Sequence, residues 1–181
     1  MKLLIALSFA VVATAVTATP QALLAQSSAN PVVSSAREIF DRQAKFIVAA
    51  AEEMPADKYG FQPTKTQWTY GKTIAHIVEG NSHVCAMLGT LPATSVPAVK
   101  ETDSKEALGK ALKASFDYCA KTLDTLQDSQ LGDTVTFFGE RKTPRARALL
   151  ELAIDVADHY SQMAGMLRLN GLVPPSAAPR K

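Results

Sequence analysis

From residue 31 onward the apolar residues of this chain recur every three to four positions in four long stretches, and they almost never alternate. That periodicity restricts the fold more than any other feature. An amphipathic helix must bury its stripe against another surface, and with hardly any strand signal the surface on offer is another helix. The pattern predicts an all-α protein, a four-helix bundle. The first stretch, SSAREIFDRQAKFIVAAAEEM, sets Ile39, Phe40, Phe46, Ile47 and Ala50 at helical spacing, with Ser34 or Ser35 as its cap, and stops before Pro55. The second, TYGKTIAHIVEGNSHVCAML, buries Ile74, Ile77, Val78, Val84, Met87 and Leu88. The third, SKEALGKALKASFDYCAKTLDTL, opens on Ser104 and carries Leu108, Leu112, Phe116, Cys119 and Leu123 on one side. The fourth runs from about Pro144 to Asn170, with Gly171 just past its end. Of the connections, PADKYGFQPTKTQWTYG reads as an ordered loop, GTLPATSVPAVKETD is proline-broken, and LGDTVTFFGERKT holds one short extended piece around Val135 to Phe138.

Ahead of the bundle the chain begins MKLLIALSFAVVATAVTATPQALLAQSSANP, one cation at Lys2 and then an uncharged apolar run that dissolves into Ala, Thr and Pro. That order is the order of a secretory signal peptide. The run from Leu3 to Val16 falls short of the about 20 apolar residues a bilayer span takes, so removal is expected and a retained membrane anchor is the alternative. Cleavage can follow Ala15, Ala18 or Ala25. The expected organisation is a signal peptide at 1–25, a bundle domain at 32–175 and a flexible tail at 176–181, which places the protein in the periplasm or outside the cell. The remaining chain has the usual size of one domain.

Charge excludes some partners. Lys and Arg total 19 against 17 acids, and Lys2 leaves with the signal, so the processed chain is close to neutral. No basic cluster is present to grip nucleic acid or an anionic membrane surface. A small-molecule substrate remains open, and a bundle with an exposed apolar edge is compatible with a homodimer.

The chemistry concentrates in three histidines, His76, His83 and His159. His76 interrupts the apolar stripe of the second helix between Ile74 and Ile77. Asp155 and His159 stand one turn apart on the fourth helix and project from the same face. Two imidazoles and one carboxylate form a three-ligand set that leaves a divalent ion an open position for water or substrate. The same residue types serve non-heme iron, so zinc, nickel, iron and manganese all remain candidates. His83 lies about 10.5 Å along the helix from His76, too far to share an ion. Glu79, one turn from His76, reads as a fourth ligand, an orienting partner, a general base or a solvated acid. Asp158 is expected at the surface, and Gln162 to orient a water or fill polar space. The loop aromatics Tyr59, Phe61, Trp68 and Tyr70 are expected to pack, with Trp68 and Tyr70 retained as pocket candidates because they precede the helix of His76. Cys85 and Cys119 both sit on apolar stripes and are expected as buried free thiols; a disulfide requires their helices to run parallel.

The stretches MPADKYGFQPTKTQWTYGKTIAHIVEGNSHVCAML and DHYSQMAGMLRLNGLVPP resemble the DinB-like (DinB/YfiT) superfamily of metal-dependent bundle proteins, over about Ala36 to Pro175. The resemblance implies an up-down-down-up bundle with its second and third helices parallel. It also implies a divalent metal held by one histidine on helix two and an H-x-x-x-H pair on helix four. Carried over by position, His76 takes the first role and His159 closes the pair, while Asp155 stands where the family has a histidine. A carboxylate still ligates, with altered affinity or selectivity. The implied activity is that of a metal-dependent hydrolase or transferase of unknown substrate. Some relatives use low-molecular-weight thiols, a largely cytosolic pool that an exported protein meets little of. The alternative is a non-catalytic bundle, a ligand- or partner-binding scaffold with a degenerate metal site.

Overall fold

The computed structural model describes residues 30–89 and 91–179, so the expected signal peptide lies outside the described residues. Four long helices dominate: α1 (Pro31–Glu53), α2 (Tyr70–Leu88), α3 (Lys105–Thr125) and α4 (Arg145–Leu169). None of the described helices is long and apolar enough to cross a membrane.

Local sequence sets the ends of α2 and α3. The Thr69 side chain accepts the Lys72 N–H at 3.0 Å and the Ser104 hydroxyl accepts the Ala107 N–H at 3.2 Å, each satisfying a donor that the first helical turn leaves unpaired. α1 is capped differently. It begins at Pro31, three residues before the expected serine cap, and Ser35 instead donates its hydroxyl back to the Pro31 carbonyl within the helix. Its free amides are met from across the molecule: Asp128, after α3, accepts from Val32 and Val33 at 2.9 Å each, and Asn30 Oδ1 accepts from the Asp128 N–H. A carboxylate at a helix N-terminus also complements the helix dipole. α4 ends at Asn170 and Gly171, where Gly171 adopts φ 75° and Leu172 N–H reaches back to the Leu167 carbonyl, a closure that needs a residue free of Cβ strain.

Helix directions follow from which residues meet. Asn81 bonds Ser115, and Cys85 is disulfide-bonded to Cys119, so the partners advance together and α2 runs parallel to α3. Phe40 packs on Phe116 while Lys113 pairs with Glu52, so α1 is antiparallel to α3. His76 faces His159 and Gly80 faces Asp155, so α4 is antiparallel to α2. The bundle is therefore up-down-down-up. The disulfide corrects the expectation of free thiols: parallel helices bring both buried residues to one level, with the Cα atoms 5.3 Å apart.

Between α3 and α4 the chain forms an antiparallel hairpin of β1 (Thr134–Phe137) and β2 (Arg141–Pro144) where one extended piece was expected. β2, RKTP, is polar and ends in proline, so it carries no strand signal; its pairing depends on the reversal at Gly139 and Glu140, with φ 68° and 64°. The loop after α1 is ordered as expected. Tyr59 donates its hydroxyl to the Ala51 carbonyl and Tyr70 to that of Ala50, and their rings meet edge on at 5.5 Å. Part of the segment expected as a flexible tail is docked: Pro175–Ala177 form a turn, and the Ser176 N–H donates to the Tyr160 hydroxyl, whose ring stacks on Phe46.

Candidate metal centre

The antiparallel contact of α2 and α4 brings together the three side chains singled out in the sequence. His76, Asp155 and His159 each present a ligand atom, and those atoms all lie within 4.8 Å of one another. The His76 and His159 rings meet edge to face with centroids 4.9 Å apart. His159 Nε2 stands 3.3 Å from Asp155 Oδ1, out of line for a hydrogen bond. His159 is 5 % exposed, yet neither ring nitrogen has a hydrogen-bond partner among the described residues. A buried imidazole used only for packing is normally bonded to a carbonyl or a carboxylate, so an unpartnered ring beside a second histidine and an acid fits a metal ligand, which takes one of its two nitrogens.

The electrostatics agree with ligation. Burial pushes the His76 imidazolium below the usual histidine range, neighbouring His159 pushes it further, and Asp155 and Glu79 pull the other way before Lys72 adds a small downward push. The net effect favours the neutral ring, the form that binds metal. Gly80 lies opposite Asp155, where a Cβ would meet Asp155 Oδ2 at 3.6 Å, an ordinary van der Waals contact.

Trp68, expected chiefly to pack, covers the cluster. Its ring centroid lies 4.6 Å from that of His76 and 6.2 Å from that of His159. Tyr70, the other pocket candidate, is buried against α1 and away from the histidines. The cluster is approached from two sides. Trp68 and His159 border a groove of about 710 Å³ along α4, and His76 borders a hollow of about 270 Å³ with Lys72, Glu79 and Glu101. Glu79 is exposed beside that hollow. His83 is exposed, its ring edge on to Phe138. Asp158 is at the surface as expected, and Gln162 Nε2 donates to Asp158 Oδ2 at 2.8 Å. The disulfide lies on the side of α2 that faces α3.

No curated protein matches the chain. Among solved structures, a DinB-like protein from Bacillus cereus ATCC 10987 superposes with a TM-score of 0.62 at 19% identity, covering 74% of this chain and 89% of that one. A DinB-like protein from Bacillus subtilis gives 0.64 at 18% identity, covering 84% of this chain and 100% of that one. At such identities the likeness speaks for the fold. The family model of the DinB superfamily matches residues 39–163, a span that reaches from α1 through the two helices of the cluster. By that match over most of its length, the chain belongs to the DinB superfamily.

Proposed function

We propose that this protein is an exported metal-dependent enzyme of hydrolase or transferase type whose divalent ion is held by His76, Asp155 and His159. The observation that carries the reading is the buried, unpartnered His159 imidazole within reach of a second imidazole and a carboxylate. A divalent ion bound there supplies Lewis-acid chemistry, acidifying a water or polarising a substrate oxygen. The chain does the rest: His76 stays neutral, Asp155 contributes the one negative charge, and Trp68 shields the imidazoles from bulk water. Glu79, beside the smaller hollow, is positioned to accept a proton near His76.

Two features support export. The N-terminal segment has the order of a signal peptide, and a buried disulfide between α2 and α3 belongs in an oxidising compartment.

The non-catalytic alternative draws on one observation. Asp155 is 36 % exposed in its side chain and replaces the histidine that the family pattern implies, which lowers affinity for a borderline metal and suits a retired or purely structural site. Metal analysis of the purified protein, wild type beside His159→Ala, separates a loaded site from a retired one, and melting with and without the ion separates a structural ion, whose removal lowers the melting temperature sharply, from a catalytic one. Near-stoichiometric metal that disappears in the variant is the expected outcome. Wild type that arrives without metal and ignores added zinc, nickel and manganese sinks the proposal.

A further inference from the structure

We infer that the groove beside the histidine cluster binds an amphipathic organic cation, an amine or quaternary ammonium with a flat or aliphatic apolar part, recognised by the Trp68 indole and the Asp158 carboxylate. The inference deepens the metal-enzyme reading by naming a substrate class, and it rests on that reading only for the chemistry after binding. The groove, of about 710 Å³, runs along α4 from His159 to Leu169. Ten residues at 1.5 Å each make that about 15 Å, the length of a small elongated molecule.

Its lining is selective in charge. Asp158 is the one carboxylate on it, and no lysine or arginine lines it among the described residues; Lys65 and Arg168 adjoin lining residues in sequence without contributing to the walls. Gln162 holds one oxygen of Asp158 and leaves the other to a ligand. Trp68 remains 40 % exposed although it packs against both imidazoles, so part of the indole is open beside the groove. An open indole and a nearby carboxylate attract an ammonium through its charge and through the ring quadrupole together. In the metal-free protein an anion meets the same carboxylate with no compensating cation, which selects against it. Met166 and Leu169, the latter exposed, continue the groove with apolar surface for the rest of the molecule. The buried, unpartnered His159 also lines the groove, which ties it to the cluster.

Trp68 is the chain's only tryptophan, so intrinsic fluorescence reports this site alone. The test titrates the purified protein, metal-free and zinc-loaded, with benzyltrimethylammonium, benzyl alcohol and benzoate. The expected result is a saturable change with the ammonium at about tenfold lower concentration than with benzoate in the metal-free protein, weakened by salt. Asp158→Asn, an exposed and nearly isosteric change, weakens the ammonium about threefold or more and leaves the melting temperature unaltered. Trp68→Leu, followed by calorimetry because it removes the fluorophore, loses the binding. Benzoate matching the ammonium in the metal-free protein, or an Asp158→Asn affinity equal to wild type, overturns the inference. Ammonium binding by a protein that ignores zinc, nickel and manganese alike leaves the groove standing and removes the metal centre; zinc binding lost in His159→Ala, without ammonium selectivity, removes the groove alone.

Discussion

A single carboxylate carries the most weight at the scale of residues. Asp155 stands on α4 opposite Gly80, with its side chain partly open to solvent. Asp155→Ala is therefore expected to abolish stoichiometric metal while moving the melting of the metal-free protein by no more than about 2 °C, as checked by metal analysis and thermal scans on the same samples. A large drop in the metal-free protein would make Asp155 a structural residue. The sequence showed this acid, because a charged residue on an apolar stripe one turn from a histidine is conspicuous. It did not show Trp68 lying over both imidazoles, since a loop aromatic packs somewhere in nearly every fold and its target depends on the loop path.

Among the elements, two long-range tethers hold helices that local signals leave loose. Asp128 caps α1 from beyond α3, and Asp128→Ala should cost about 1–2 kcal/mol, read from denaturant unfolding, with earlier loss of amide protection in the first turn of α1. The Cys85–Cys119 bridge closes a loop with a sequence separation of 34, for which the chain-entropy estimate is about 4 kcal/mol. Replacing both cysteines with alanine should lower the unfolding free energy by about 2–4 kcal/mol, and free-thiol titration of the native wild type should find none. Helix lengths were legible from periodicity, and the Ser104 cap from its immediate neighbours. The start of α1 and the disulfide were not, because each depends on a partner distant in the sequence, and the second strand of the hairpin was not, because the polar RKTP segment pairs only through the reversal at Gly139 and Glu140.

For the molecule as a whole, the loop between α1 and α2 is locked to the bundle by Tyr59 and Tyr70, whose buried phenols are pushed far above the ordinary tyrosine range, chiefly by desolvation. A folded-state pKa raised above the unfolded value near 10 gives stability that is complete below about pH 10 and lost as pH climbs past it. Alkaline titration should therefore show these two phenols ionising only with global unfolding, so that the share of phenolate absorbance lost in Tyr59→Phe/Tyr70→Phe and the helical circular dichroism change together. Phenolate from more than two of the chain's four tyrosines at about pH 10 with the helices intact would mean the loop opens independently.

Taken alone, the sequence determined the fold class and the chemistry-bearing residues. Apolar spacing dictates amphipathic helices, four such helices can satisfy their stripes only against one another, and His76, Asp155 and His159 stand out as polar groups where burial should be apolar. Tertiary structure decided what those residues become. The antiparallel crossing of α2 and α4 set two imidazoles and a carboxylate within 4.8 Å, the parallel course of α2 and α3 turned two cysteines into a bridge, and the loop path laid Trp68 over the cluster. Each of these is a distance between groups far apart along the chain, which periodicity cannot encode and packing must set.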